Sequence, residues 1–251
     1  MKSALRTLLL LLLTPPLLSN LPARTPTGEV LSRLPRLILW AWEVPERLDF
    51  IDPQQIAVAY LDQTVYVGQA VRARPRLQPM RVPAGTRVIA VVRIEMPATA
   101  HASPEIQAQL VSAVLHSARR PGITALQLDF DAVRSQRMLY GDLLKQVRQE
   151  MPSHMPLSVT ALASWCAYDR WLASMPVDEA VPMLFRMGKE QSLFRSREEG
   201  PLLREPLCTG SLGVSADEPW PKKLGNKRLY IFDPRPWSRE SLARVLEQIE
   251  K

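Results

Sequence analysis

The sequence predicts a single α/β domain of the (β/α)8 TIM-barrel-like class, compact and irregular, with a hairpin-like insertion after its second strand. Three observations predict it. Eight short apolar runs recur along the chain, several are followed by segments of helical periodicity, and polar residues stand where the runs stop. The count favours a closed barrel over an open doubly wound sheet, and no glycine-rich phosphate loop follows the first run.

The first run is Leu37–Glu43 and the second Ile56–Leu61, followed by Asp62. Residues 64–82 alternate apolar and polar positions without helical spacing, which predicts a hairpin where a barrel would place a helix. Arg87–Glu95 is the third strand. Ser103 then caps a helix with Pro104 at its first position and an apolar stripe of Ile106, Leu110, Val111, Val114 and Leu115. Arg119-Arg120-Pro121-Gly122 ends that helix and leads into the fourth strand, Ile123–Ala132, with a helix over Arg134–Glu150 behind it. Pro156–Ser164 is the fifth strand, ending in Trp165-Cys166, and a short helix spans Asp169–Ser174. Val177–Phe185 is the sixth, where Pro182 is awkward for a central strand. Residues 189–206 read as helix plus loop. Leu207–Ser215 is a weaker seventh strand loosened by Gly210 and Gly213, and Lys227–Phe232, followed by Asp233, is the eighth. Ser238 caps a final helix carrying Leu242, Val245, Leu246 and Ile249.

The N-terminus reads as an export signal over residues 1–23. Lys2 and Arg6 form a basic region, the apolar stretch after them is short for a membrane span, and Leu21-Pro22-Ala23 offers a cleavage site. An uncleaved anchor is the competing reading, and it is the one route to a membrane. No cysteine follows the apolar core, against a lipoprotein anchor. Removing 23 of the 251 residues leaves 228, an exposed leader over 24–35 and one barrel domain over 36–251. The expected location is the periplasm or cell envelope. There Cys166 and Cys208 can bridge, although buried free cysteines are also common.

The net charge of +7 is mostly scattered arginine, with no block of five like charges, so nucleic acid is not the expected partner. His101, His116 and His154 are dispersed and no metal-ligand spacing exists, so no metal or cofactor is expected.

The chemistry concentrates in the fourth strand. Side chains alternate faces along a strand, so Ala125, Gln127, Asp129 and Asp131 share one face and Leu126, Leu128 and Phe130 the other. Acids at the C-terminal end of a barrel strand stand where barrel enzymes keep their catalytic groups. Burial beside a like charge raises a carboxyl pKa, as a general acid requires. Glu43, Asp62, Glu95, Asp131, Arg186 and Asp233 all end apolar runs and would line one polar cavity if arranged around a ring. Trp40, Trp42, Tyr60, Trp165 and Trp237 lie near strand ends. Core packing competes with sugar stacking for each of them. Trp165 is the favoured sugar platform. Glu43 and Glu95 are candidate second carboxylates or arginine partners, and Arg186 a candidate holder of an acidic substituent.

Ala125–Ala132 resembles the fourth-strand signature of glycoside hydrolase family 18, Asp-x-x-Asp-x-Asp-x-Glu, whose last Glu is the general acid. In that register Thr124, Gln127, Asp129 and Asp131 fill the four positions. The middle acid is kept, Gln127 replaces another, and Asp131 is one methylene shorter than Glu. Leu37–Glu43, Leu126–Ala132, Leu157–Cys166 and Val177–Gly188 are similar to a bacterial domain of unknown function, number 3142. The resemblance implies a glycosidase-like barrel and a carbohydrate ligand, with Asp131 as acid, Asp129 as its electrostatic partner, and no cofactor. Gln127, Trp42, Glu43, Tyr60, Glu95, Trp165, Arg186 and Asp233 are the expected substrate-binding residues. A non-catalytic carbohydrate-binding protein of the envelope is the alternative.

Overall fold

The computed structural model describes residues 31–188, 194 and 201–250. The export signal, the start of the leader and most of the helix-plus-loop stretch expected over 189–206 lie outside the described residues.

Eight parallel strands close into a ring. In chain order the strands are β1 (Leu37–Ala41), β2 (Glu46–Arg47), β3 (Ile56–Val67), β4 (Val71–Pro75), β5 (Met80–Arg81), β6 (Val88–Glu95), β7 (Ile123–Asp129), β8 (Leu157–Leu162), β9 (Glu179–Met183), β10 (Ser211–Ser215) and β11 (Arg228–Phe232). The ring runs β1-β3-β6-β7-β8-β9-β10-β11, and β1 pairs both β3 and β11 to close it. Helices α1 (Pro104–Ala118), α2 (Arg137–Glu150), α3 (Ala163–Tyr168) and α4 (Arg239–Ile249) follow β6, β7, β8 and β11. The Ser103 hydroxyl accepts from Ile106 N and the Ser238 hydroxyl from Ser241 N, so both expected caps form.

The insertion after the second ring strand is a hairpin. β3 runs on past its pairing with β1, and β4 folds back antiparallel on that extension. A one-residue register shift between Leu61 and Gln63 inverts the face of every later β3 side chain. Ala57 and Ala59 point into the lumen before the shift. Beyond it Val65 and Val67 pack outward, and Gln63 bonds Ala113 O and Ser117 Oγ of α1.

Two apolar layers result. The outer one lies between ring and helices and holds Leu126, Leu128, Phe130, Tyr140, Leu143 and Leu144. The inner one fills the lumen with Leu34, Ile38, Trp40, Ala57, Ala59, Ile89, Val91, Ala125, Val181 and Tyr230. The leader is therefore not exposed at its end. Leu34 is buried against the lumen side chains, and Arg228 binds the carbonyls of Leu31 and Pro35. An apolar side chain is needed there because the narrow ring leaves its base open to water.

Pro182 sits in β9 between two strands without losing a bond. Leu184 N donates to Gly213 O, so the nitrogen two residues earlier points toward β10 as well, and pairing with β10 begins only at Met183. The fifth strand stops at Leu162, earlier than expected, and Ala163–Tyr168 is helical, with a 3-10 turn over Trp171–Ser174 in place of the later helix. Cys166 and Cys208 form a disulfide with Cα atoms 5.8 Å apart, tying α3 to the segment before β10.

Candidate functional site

β7 presents Ala125, Gln127 and Asp129 to the lumen and Leu126, Leu128 and Phe130 to the helices, as its alternation requires. Asp131 follows at the rim. A cavity of about 270 Å³ opens there, with Asp129, Asp131 and Thr160 on one side. Its aromatic wall is Trp40, Trp42, Phe185 and Phe232, joined by Met183, and Arg93 and Arg186 flank the mouth. Phe185 and Phe232 stack at 5.7 Å, and Phe232 meets Trp42 edge-on at 6.5 Å.

Asp129 is 8% exposed. It accepts a 2.7 Å bond from the Thr160 hydroxyl and lies 3.8 Å from the Arg93 guanidinium. Burial is the largest influence and drives its carboxyl from 3.8 up to about 6; the Thr160 bond opposes this, the Asp131 charge adds to it, Arg93 opposes and Glu95 adds. Burial also raises the Asp131 carboxyl, with Arg93 opposing and Glu95 adding. The cavity thus holds two carboxyls side by side, both shifted toward the protonated form.

Gln127 lies beneath them, fully buried. Its Oε1 accepts from Trp40 Nε1 at 2.8 Å and its Nε2 donates to Ser158 Oγ at 3.0 Å. Ser158 reaches the Tyr230 oxygen, Tyr230 donates to Glu179 at 2.5 Å, and Arg228 pairs with Glu179 at 3.0 Å. A continuous polar column therefore runs from the cavity floor to the barrel base. Gln127 both accepts and donates within it, which a carboxylate does not do.

The cavity gathers Asp129, Asp131, Trp42 and Arg186. Arg186 bonds Asp217 and Glu218 and holds φ at +56°, a strained conformation for a non-glycine residue at the rim. Glu95 is a neighbour, paired with Arg93 at 2.6 Å.

The single ring of strand-end charges does not form, and four expected residues stand elsewhere. Glu43 pairs with Arg74 of the hairpin at 2.6 Å. Tyr60 faces the outer layer and donates to Asp62, which also binds Ser117 and Arg120 on the helix side, because both precede or occupy the register shift. Trp165 lies in the outer core against Trp171 at 5.0 Å, because the chain turns helical at Ala163. Asp233 is buried beside Arg235. Trp237 is also buried, its Nε1 bonded to Trp40 O.

Thr160, Met183, Phe185 and Phe232 were not singled out from the sequence. The available signal was alternation: Val181, Met183 and Phe185 share one face of β9 and its continuation, and Tyr230 and Phe232 share one face of β11. Among the described residues no three His, Cys, Asp or Glu side chains group as a metal site.

No curated protein matches the chain. Among solved structures, the Bacillus cereus spore cortex-lytic enzyme SleL superposes with a TM-score of 0.45 at 14% identity, over 72% of this chain and 50% of its own. The chitinase domain of the spore coat protein CotE from Clostridium difficile gives 0.40 at 12% identity, over 78% and 61%. The chain spans about half the length of the first and three-fifths of the second. The segment 84–185, which supplies Arg93, Asp129, Asp131, Thr160, Met183 and Phe185 to the cavity, matches the model of a domain of unknown function, DUF3142, the family whose motifs the strand sequences resemble.

Proposed function

We propose that the protein is an exported glycoside hydrolase-like protein acting on glycosidic bonds of a polysaccharide or glycan, with Asp131 as general acid and Asp129 as its electrostatic partner. The observation that carries this reading is the pair of raised carboxyls facing an aromatic wall in one rim cavity. Glycosidic cleavage needs a carboxyl that keeps its proton until the leaving oxygen takes it. Asp131 stands at the open mouth, within reach of an incoming oxygen, whereas Asp129 is buried and held by Thr160. Flat apolar ring faces suit the C–H surface of a sugar while the carboxyls meet its hydroxyls. The Cys166–Cys208 bridge supports export to an oxidising compartment, in agreement with the N-terminal sequence.

The test is turnover of a panel of oligosaccharides by the parent and by Asp131→Asn. Cleavage by the parent and a loss in kcat of about 10²–10⁴-fold in the variant are expected. Full turnover in the variant removes Asp131 from the role.

Gln127 favours a second reading, a non-catalytic carbohydrate-binding protein of the cell envelope. Both its polar ends are committed to Trp40 and Ser158, so this position holds the barrel together and offers no carboxylate. Sugar binding by the parent without turnover selects this reading.

A further inference from the structure

The register shift in β3 has a consequence at the rim. Beyond it Thr64 pairs with Arg93 of β6 and Arg74 of β4, and Tyr66 pairs with Glu95 of β6 and Arg72 of β4. Directly opposed residues share a face. Arg93 lines the cavity, so its whole face, carrying Glu95, Tyr66, Arg72 and Arg74, continues the lumen wall outward along a three-stranded ribbon. A second hollow of about 830 Å³ lies on that ribbon, walled by Tyr66, Arg72, Glu95 and Met96. The 2.6 Å Arg93–Glu95 pair is the partition between the two hollows.

The outer hollow combines an aromatic surface with positive charge. Tyr66 is 40% exposed, and the Arg74 guanidinium stands 6.0 Å from its ring centre. Arg72 is exposed and has no ion partner among the described residues. Arg74 is neutralised by Glu43, and Arg186 at the far side of the cavity by Asp217 and Glu218, which leaves Arg72 as the uncommitted guanidinium of this face. A neutral sugar chain gives Arg72 nothing to pair with; a chain bearing carboxylates does.

We propose that the cavity is the inner end of a longer track for a carboxylate-bearing polysaccharide, whose chain continues over the Arg93–Glu95 partition onto Tyr66 and Arg72 of the hairpin. The proposal rests on the reading of the cavity as a sugar site and names the class of sugar. The occupant follows from Arg72, the guanidinium of the outer hollow that no acid among the described residues neutralises, and from the continuity of one sheet face between the two hollows.

The experiment is affinity electrophoresis of the full chain through gels containing polygalacturonate or neutral dextran. Polygalacturonate retards the parent, dextran does not, and added salt weakens the retardation. Arg72→Glu weakens binding about tenfold and Tyr66→Ala several-fold. Arg244→Glu, the same charge change on exposed α4, alters it less than twofold. Equal losses for Arg72→Glu and Arg244→Glu would reduce the effect to overall charge and overturn the track. So would unaltered binding in Arg72→Glu, equal retardation by dextran, or no retardation of the parent. Binding is read here without turnover, so failure of the track and failure of the cavity as a site of cleavage give different results.

Discussion

At the residue scale, two buried carboxyls set how the protein responds to acid. Asp129 is pushed to about 6 by burial, and Glu46, buried beside Asp233 and Arg76 while accepting from Trp237 N, is pushed to about 7, burial again dominating. A carboxyl whose folded pKa exceeds its unfolded one keeps its proton longer in the native state. Folding is therefore favoured at low pH and weakened as pH rises through the interval between the two values. Each shift of about two units corresponds to on the order of 3 kcal/mol. Denaturant titrations are expected to show stability falling between about pH 4 and pH 7, and Asp129→Asn or Glu46→Gln to flatten that slope. A parent whose stability rises steadily over this range contradicts both assignments. Thr160→Val removes the bond that favours ionised Asp129, so the carboxyl titrates higher still; NMR of the carboxyl carbon reads this directly. Gly213 is a second sensitive position. A Cβ there would stand 2.9 Å from the Trp40 ring and 3.2 Å from Pro182 O. Trp40 is held by Gln127 and cannot withdraw, so Gly213→Ala is expected to cost about 1–3 kcal/mol in chemical denaturation.

At the element scale, the disulfide closes 42 residues of chain that include β9, and so fixes the strand carrying Met183 and the aromatic wall after it. Reduction is expected to lower stability by about 2–4 kcal/mol in denaturant titrations with and without reductant. The same scale shows what was legible in the sequence. The eight ring strands, the hairpin and the capped helices α1 and α4 follow from apolar runs and cap chemistry, which are local. The inward face of β7 was legible because Gln127, Asp129 and Asp131 stand in unbroken alternation. Tyr60 was misplaced because nothing local says which face of β3 turns inward: Ala57 and Ala59 take the lumen, so alternation puts Tyr60 on the helix side. Trp165 was misplaced because Ala-Ser-Trp-Cys-Ala-Tyr suits strand or helix, and only the ring decides where β8 must stop. Phe185 and Phe232 come from strands far apart in sequence, so their stacking required the closed barrel.

At the scale of the whole molecule, closure depends on β1, which joins β11 to β3, and on a base sealed by Leu34 and the Arg228 bonds. Leu34→Asp places an unpaired charge in the lumen and is expected to destabilise the barrel by several kcal/mol in thermal or chemical unfolding. The opposite end is tied by Arg76. From just beyond β4 its guanidinium donates to the carbonyls of Ala41, Trp42 and Val44, the loop where a regular barrel would place a helix. One side chain thus fastens the ribbon to the strand end that carries Trp42. A sugar chain lying across both would meet surfaces already set in their mutual positions, and would spend little of its binding energy on arranging them.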